Sequence, residues 1–228
     1  MRASVPMLLA ALVVLPAFAG DDERTDARQK LQKANEVLTA SIEAPDKGIP
    51  LDMLEKAECV GVFPDVTKGA FIVGGQGGKG VFSCRDAKGK MGAPAFYTIG
   101  GGSVGWQFGG EQTDLILLVM NKDGMKHLLD SKFTLGAEAS ATAGPVGRTG
   151  KAATDAELHA QILSWSRAQG AFVGAALDGS VVKPDDSRNE AVYGKGKTVK
   201  NVLMDHSVPP TADANAFLNT LNKSAARG

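Results

Sequence analysis

The chain has 228 residues, 43% of them hydrophobic, with 25 basic and 25 acidic side chains. That length and apolar content suffice for one well-buried domain. The charge balance argues against nucleic acid as the main partner, because neutralising phosphates takes a concentrated basic face.

The opening MRASVPMLLAALVVLPAFAG has one arginine, an apolar run from Val5 to Leu15, and the small-residue pattern Ala17-Phe18-Ala19. This is the signature of a secretory signal peptide cleaved after Ala19. The run is too short to cross a membrane, and nothing later approaches about 18 unbroken apolar residues. No cysteine follows the cleavage point, which argues against a lipid anchor. Cleavage removes Arg2 as the only charged side chain and leaves a net charge of −1. The expected mature protein, residues 20–228, is one exported domain, periplasmic or secreted. Cys59 and Cys84 are the two cysteines, and in an oxidising compartment an even pair forms a disulfide. Closing a loop of about 25 residues stabilises by roughly 3 kcal/mol in the chain-entropy model. The histidines His127, His159 and His206 are scattered, so neither a metal site nor a cofactor is expected.

Asp21 to Ala44 reads as a helix, with Ala27, Leu31, Ala34, Leu38 and Ile42 forming one apolar stripe and Thr25 with Asp26 as its start signal. Its polar face is mixed in sign. Packing onto the domain is therefore expected, since lipid insertion favours a basic face. Pro45 ends this helix, and a short one from Pro50 to Ala57 follows. Short apolar strands come next at Val60–Phe63, Ala70–Gly74 and Gly80–Arg85. Gly74 to Gly80 is the expected hairpin loop between the last two, and its backbone N–H groups could hold an anion. Asp86 to Lys90 is a turn.

Gly92 to Gly110, GAPAFYTIGGGSVGWQFGG, is the centre of the chain. Ala93, Ala95, Tyr97 and Ile99 share one parity, as do Val104, Trp106 and Phe108, so the segment reads as strand, glycine-rich crossing, strand. Asp114 to Met120 is apolar on both parities, which predicts a central strand covered on both faces. Asp123 to Asp130 reads as a short helix beginning at Asp123, and Phe133 to Ala143 as extended. Glu157 to Ser166 is assigned to strand. Gly170 to Val182 reads as a hairpin turning at Asp178-Gly179. Helices at Pro184–Tyr193, Thr198–Met204 and Ala212–Ser224 complete the chain.

Several motif matches lack the context that gives them chemistry. Gly101-Gly102-Ser103-Val104-Gly105 fits the nucleophile elbow, but the alternating Trp106 to Gly110 is no outgoing helix. Gly75-x-Gly77-x-x-Gly80 and Gly100-x-Gly102-x-x-Gly105 fit the dinucleotide fingerprint, again without the helix that would hold a pyrophosphate. Ala191 to Thr198 fits a relaxed P-loop, but the polar Asp185 to Glu190 is not the buried strand such a loop follows.

Taken together, several stretches resemble the SYLF domain family. They are Cys59-Val60-Gly61-Val62-Phe63-Pro64, Phe71 to Gly75 with Gly78 to Val81, Ala93 to Phe96, and Gly101 to Gly110. Further on stand Ala143 to Arg148, Ser164 to Arg167 with Gly170, Gly174 to Gly179, and Asn189 with Tyr193-Gly194. The ordered set covers about residues 35 to 195. The resemblance implies a binding module and not an enzyme. Eukaryotic members of the family bind phosphoinositides, some bind actin, and they carry SH3 or FYVE domains. This chain is similar to the exported bacterial form.

Three readings of function follow from the family resemblance and the residues together. The first is an exported module that binds a membrane lipid or anionic headgroup through basic residues beside glycine turns: Lys79, Arg85, Lys88, Lys90, Arg148 and Lys151. The second is a serine hydrolase using Ser103, with Asp114 or Asp155 and His159 or His206 as partners. A structural envelope or stress protein without a small ligand is a third. The expected fold is α+β, a mainly antiparallel β core, barrel-like or strongly twisted, with N- and C-terminal helices packed on it.

Overall fold

The computed structural model describes residues 19–44, 48–69, 75–102, 111–145, 159–168 and 171–225. Its strands are β1 (Cys59–Gly69), β2 (Gly75–Cys84), β3 (Ala95–Gly102), β4 (Glu111–Val119), β5 (Phe133–Thr134), β6 (Ala141–Ala143), β7 (Ile162–Ala168), β8 (Ala171–Gly174) and β9 (Val181–Pro184). They form one curled, half-barrel sheet in the order β5-β9-β3-β2-β1-β4-β7-β6. All pairings are antiparallel except β6 with β7. One edge of β7 takes β4; the other takes β6 along its first half and β8 along its second. The helices are α1 (Ala19–Ile42), α2 (Leu51–Lys56), α3 (Lys122–His127), α4 (Asp186–Tyr193), α5 (Val199–Leu203) and α6 (Asn215–Ser224). The α+β fold expected from the sequence is the one observed. No helix among the described residues is long and apolar enough to cross a membrane.

The sheet separates two cores. On one face the α1 stripe of Ala27, Leu31, Ala34 and Leu38 packs with Val60, Val62, Val81, Phe96, Ile116, Leu118 and Trp165, together with Phe217 and Leu221 of α6. On the other, Phe63, Phe82, Tyr97, Leu115, Leu117 and Val119 pack with Val182 and with Val202 and Leu203 of α5. β4 thus contributes side chains to both, as a strand apolar on both parities must. Cys59 and Cys84 stand directly opposite each other on β1 and β2 and form the disulfide.

Some sequence expectations are corrected by the fold. β1 does not stop at Phe63; it continues to Gly69 through a bulge between Phe63 and Val66. Pro64 has no N–H for the ladder, and the bulge removes it from pairing. Within the bulge Asp65 takes φ 55°, and its N–H donates to Asp114 Oδ1 at 3.1 Å. Gly75 to Gly80 is not a loop but the first part of β2. The glycines there make room. A Cβ on Gly80 would lie 2.3 Å from the Val62 carbonyl oxygen and 2.5 Å from the Phe63 ring, and one on Gly61 would lie 2.3 Å from the Phe82 ring. Phe82 lies over Gly61 directly opposite it, Phe63 lies over Gly80, and the Phe63 and Phe82 rings meet edge to face, with centroids 5.6 Å apart.

Asp178-Gly179 does turn the chain, with Gly179 at φ 80°, but it makes no hairpin. β8 joins β7 and β9 joins β3, so the strands on either side of the turn belong to different parts of the sheet. Helix α1 starts at Ala19, which places Thr25 and Asp26 inside it and not at its cap. α3 is capped by Asn121, whose side chain accepts from Gly124 N, and not by Asp123. The Ala70–Gly74 strand and the strand through Trp106 and Phe108 lie outside the described residues.

Candidate functional site

The β-ladder assembles a feature that has no continuous sequence. Lys79 of β2 stands opposite Thr98 of β3, and Thr98 opposite Lys183 of β9. β5 joins β9 with Phe133 opposite Val182, which brings Lys132, one residue earlier, beside Lys183. Neighbouring strands lie about 4.8 Å apart, so Lys132 and Lys183 are separated by roughly 5 Å and Lys183 and Lys79 by roughly 10 Å. All three lysines are exposed. They line an open groove of about 760 Å³ with Gly77, Gly78, Gly100 and Gly101, where bare backbone forms the floor. Between the cations the buried Thr98 hydroxyl has no hydrogen-bond partner among the described residues. Three ammonium groups and an unsatisfied hydroxyl around an uncluttered floor can hold an anion close to the sheet.

One end of this row is tied to α1. The Asp26 carboxylate lies 3.4 Å from Lys79 Nζ and also contacts the Arg188 guanidinium. Arg188 sits on α4, its side chain 1% exposed, held by Asp185, with Glu23 at 3.3 Å and the Phe96 ring 6.0 Å beneath. Burial acts to raise the Asp26 pKa, but Arg188 and then Lys79 outweigh it and hold the carboxyl below its ordinary value. No spacing in the sequence announced Arg188. It is an arginine in a polar stretch whose partner Asp26 lies 162 residues away on α1.

Of the basic residues expected to form one patch, the four that the structure describes do not lie together. Lys79 belongs to the row. Arg85, six residues further on, lies roughly 20 Å along the strand direction and is 7% exposed. Its guanidinium donates to five main-chain carbonyls, those of Leu54, Glu55, Ala57, Gly89 and Ala225. It pins the end of α2 and the end of α6 to the sheet, so its role is structural. Lys88 and Lys90 are exposed on the turn beyond it. Their main-chain N–H groups donate to the Asp86 carboxylate at 2.8 and 2.9 Å, and those bonds, led by Lys90, lower its pKa despite some burial. Arg148 and Lys151 lie outside the described residues.

Ser103 and Asp155 of the hydrolase reading also lie outside the described residues. Asp114 accepts from Asp65 N and lies 3.7 Å from Arg167. His206 Nε2 lies 3.1 Å from the Arg85 carbonyl oxygen, beside the strand end where Cys84, Cys59 and Val119 line up. His159 precedes Ile162, which pairs with Val119 at that same end. Five residues of β4, roughly 17 Å, separate Asp114 from it. Asp114 therefore orients neither histidine. The P-loop-like residues fare similarly: Thr198 caps the five-residue α5 in a capping box with Asn201, and helix α4 precedes them instead of a strand. Among the described residues no cluster of His, Cys, Asp or Glu could hold a metal ion.

Residues 100–224 match the family model described as "Ysc84: Las17-binding protein actin regulator". Among similar proteins, LAS seventeen-binding protein 3 of Saccharomyces cerevisiae is 28% identical over 193 residues, covering 81% of this chain and 42% of that one. An SH3 domain-containing protein of Schizosaccharomyces pombe is 30% identical over 203 residues, 86% of this chain and 47% of its own. The SH3 domain-containing YSC84-like protein 1 of Mus musculus is 28% identical over 202 residues, 88% of this chain and 58% of its own. This chain spans about half the length of these relatives. The family match covers more than half of the sequence, and the chain belongs to the Ysc84, or SYLF, family.

Proposed function

We propose that this chain is an exported, non-enzymatic module that binds anionic lipid headgroups, with the headgroup seated on the Lys79–Thr98–Lys183–Lys132 row. The observation that carries the reading is the row itself, three exposed lysines in register over a floor of glycine backbone. Glycine allows a headgroup to reach the sheet, and each lysine close to an anionic surface contributes about 1 kcal/mol. The leader pattern supports export, and the buried Cys59–Cys84 disulfide is at home in an oxidising compartment. The test is flotation of the chain with neutral and anionic vesicles at low and high salt. The triple variant K79Q/K132Q/K183Q should bind anionic vesicles roughly 30- to 100-fold more weakly, two to three such contributions at about 1.4 kcal/mol per decade. Unchanged flotation of that variant would sink the proposal.

A second reading follows from the family model, whose description names an actin regulator that binds Las17. On this reading the domain carries an actin-related contact of its own. Co-sedimentation with actin filaments tests it, and absence of the chain from the pellet would end it.

A further inference from the structure

One seat of the lysine row is already occupied by the protein. Among the described residues Lys132 and Lys183 form no ion pair with a carboxylate, whereas Lys79 has Asp26 at 3.4 Å. Asp26 is not a loose surface carboxylate. It is anchored by Arg188, which is buried and cannot follow it into solvent, and which Asp185 and Glu23 hold from other sides. The row therefore has an open seat, Lys132 just before β5 with Lys183 on β9, and a second seat at Lys79 two strands beyond β9.

The ladder spacing turns this into a selection rule. A single phosphate lies within reach of the open pair, roughly 5 Å across, while Lys79 stands roughly 10 Å from Lys183. With the Lys79 ammonium held at Asp26, a second phosphate is what extends a ligand to it, and there the ligand meets the Asp26 carboxylate competing for the same ammonium. Like charges brought together in this way disfavour the ligand that needs the seat. We infer that Asp26 is a specificity-determining residue that directs the row to headgroups carrying one phosphate and against those carrying two. The inference rests on the row being the headgroup site.

The test is calorimetric titration of the full chain with two soluble probes, sn-glycerol 3-phosphate and inositol 1,4-bisphosphate. Asp26→Asn should raise affinity for the bisphosphate roughly two- to five-fold, the range set by an exposed ion pair, and leave the monophosphate unchanged. Lys79→Gln, which leaves the partners of Arg188 in place, should weaken the bisphosphate more than the monophosphate. Adding D26N to K79Q should then restore no specific preference for the bisphosphate beyond that of K79Q. An equal rise for both probes with D26N, a rise that survives K79Q, or no change at all would overturn the role of Asp26. Melting curves check that D26N and K79Q are folded under the titration conditions, and if D26N is not, K79Q still decides whether Lys79 is the second seat: equal loss for both probes would overturn it. K132Q/K183Q separates the two levels of the argument. If that variant binds both probes normally, the row is not the site; if it loses both while D26N is silent, the row stands and the role of Asp26 falls. Phosphatidylcholine vesicles doped with phosphatidylglycerol or with phosphatidylinositol 4-phosphate repeat the comparison on a membrane. The same ordering there assigns the ligand to a lipid, and an ordering confined to the soluble probes assigns it to a free phosphorylated molecule.

Discussion

Replacing Arg85 with glutamine separates the residue that builds the fold from those proposed to bind. Arg85 is 7% exposed and donates to five carbonyls at 2.6 to 3.1 Å. Hydrogen bonds from a charged group contribute about 1.5–3 kcal/mol each, and five of them would sum to more than the whole stability of many domains. The desolvation of the guanidinium offsets most of that sum. A buried acceptor left unsatisfied costs about 1–3 kcal/mol, so stranding two or three of these carbonyls costs about 3–5 kcal/mol once the regained hydration of the others is allowed for. Glutamine offers fewer donors on a shorter side chain and leaves most of the carbonyls unsatisfied. At about 2–4 °C per kcal/mol for a chain of this size, the midpoint of thermal unfolding should fall by roughly 10 °C. Differential scanning calorimetry reads the shift, and flotation below the new midpoint should match the wild type. A change of only a degree or two would refute the reasoning, since it would mean that Arg85 ties neither α2 nor α6 to the sheet. Normal stability with lost lipid binding would return Arg85 to the ligand site.

Gly80→Ala should destabilise by roughly 1–3 kcal/mol, an overpacking cost, because its Cβ would meet the Val62 carbonyl at 2.3 Å, a backbone atom that cannot swing aside; urea unfolding measures it. In the folded chain, against the effect of burial, Arg188 and Lys79 hold the Asp26 carboxyl below its ordinary value. Its stabilising contribution is therefore complete above the unfolded-state value and is lost as pH falls through the folded-state value. Denaturation midpoints should drop below about pH 4 with a shallower slope in D26N than in the wild type, and equal slopes would remove Asp26 from the linkage.

Much of the fold is legible in the chain because it depends on local repetition. The α1 stripe, the double-sided β4 and the turn at Asp86 each announce themselves within a window of a few residues. The errors arise where a local pattern has two tertiary outcomes. Gly75 to Gly80 has loop composition, yet Phe63 and Val66 lie over it and require glycine in a strand. Gly170 to Val182 has hairpin composition, yet its halves find β7 and β3 as better partners than each other.

The candidate site illustrates the same division more sharply. Composition, hydrophobic period and cysteine pairing determined an α+β domain with a disulfide and terminal helices, because each follows from side chains acting on near neighbours. The ordered motifs determined the family. Tertiary structure alone decided which basic residues act together. Arg85 was drawn into the carbonyls of two helix ends, while Lys132 and Lys183, distant from Lys79 in sequence, were set beside it by strand register. A β-ladder pairs residues by hydrogen bonds between strands that meet only after the chain has closed large loops. Such a row therefore leaves no period in the sequence.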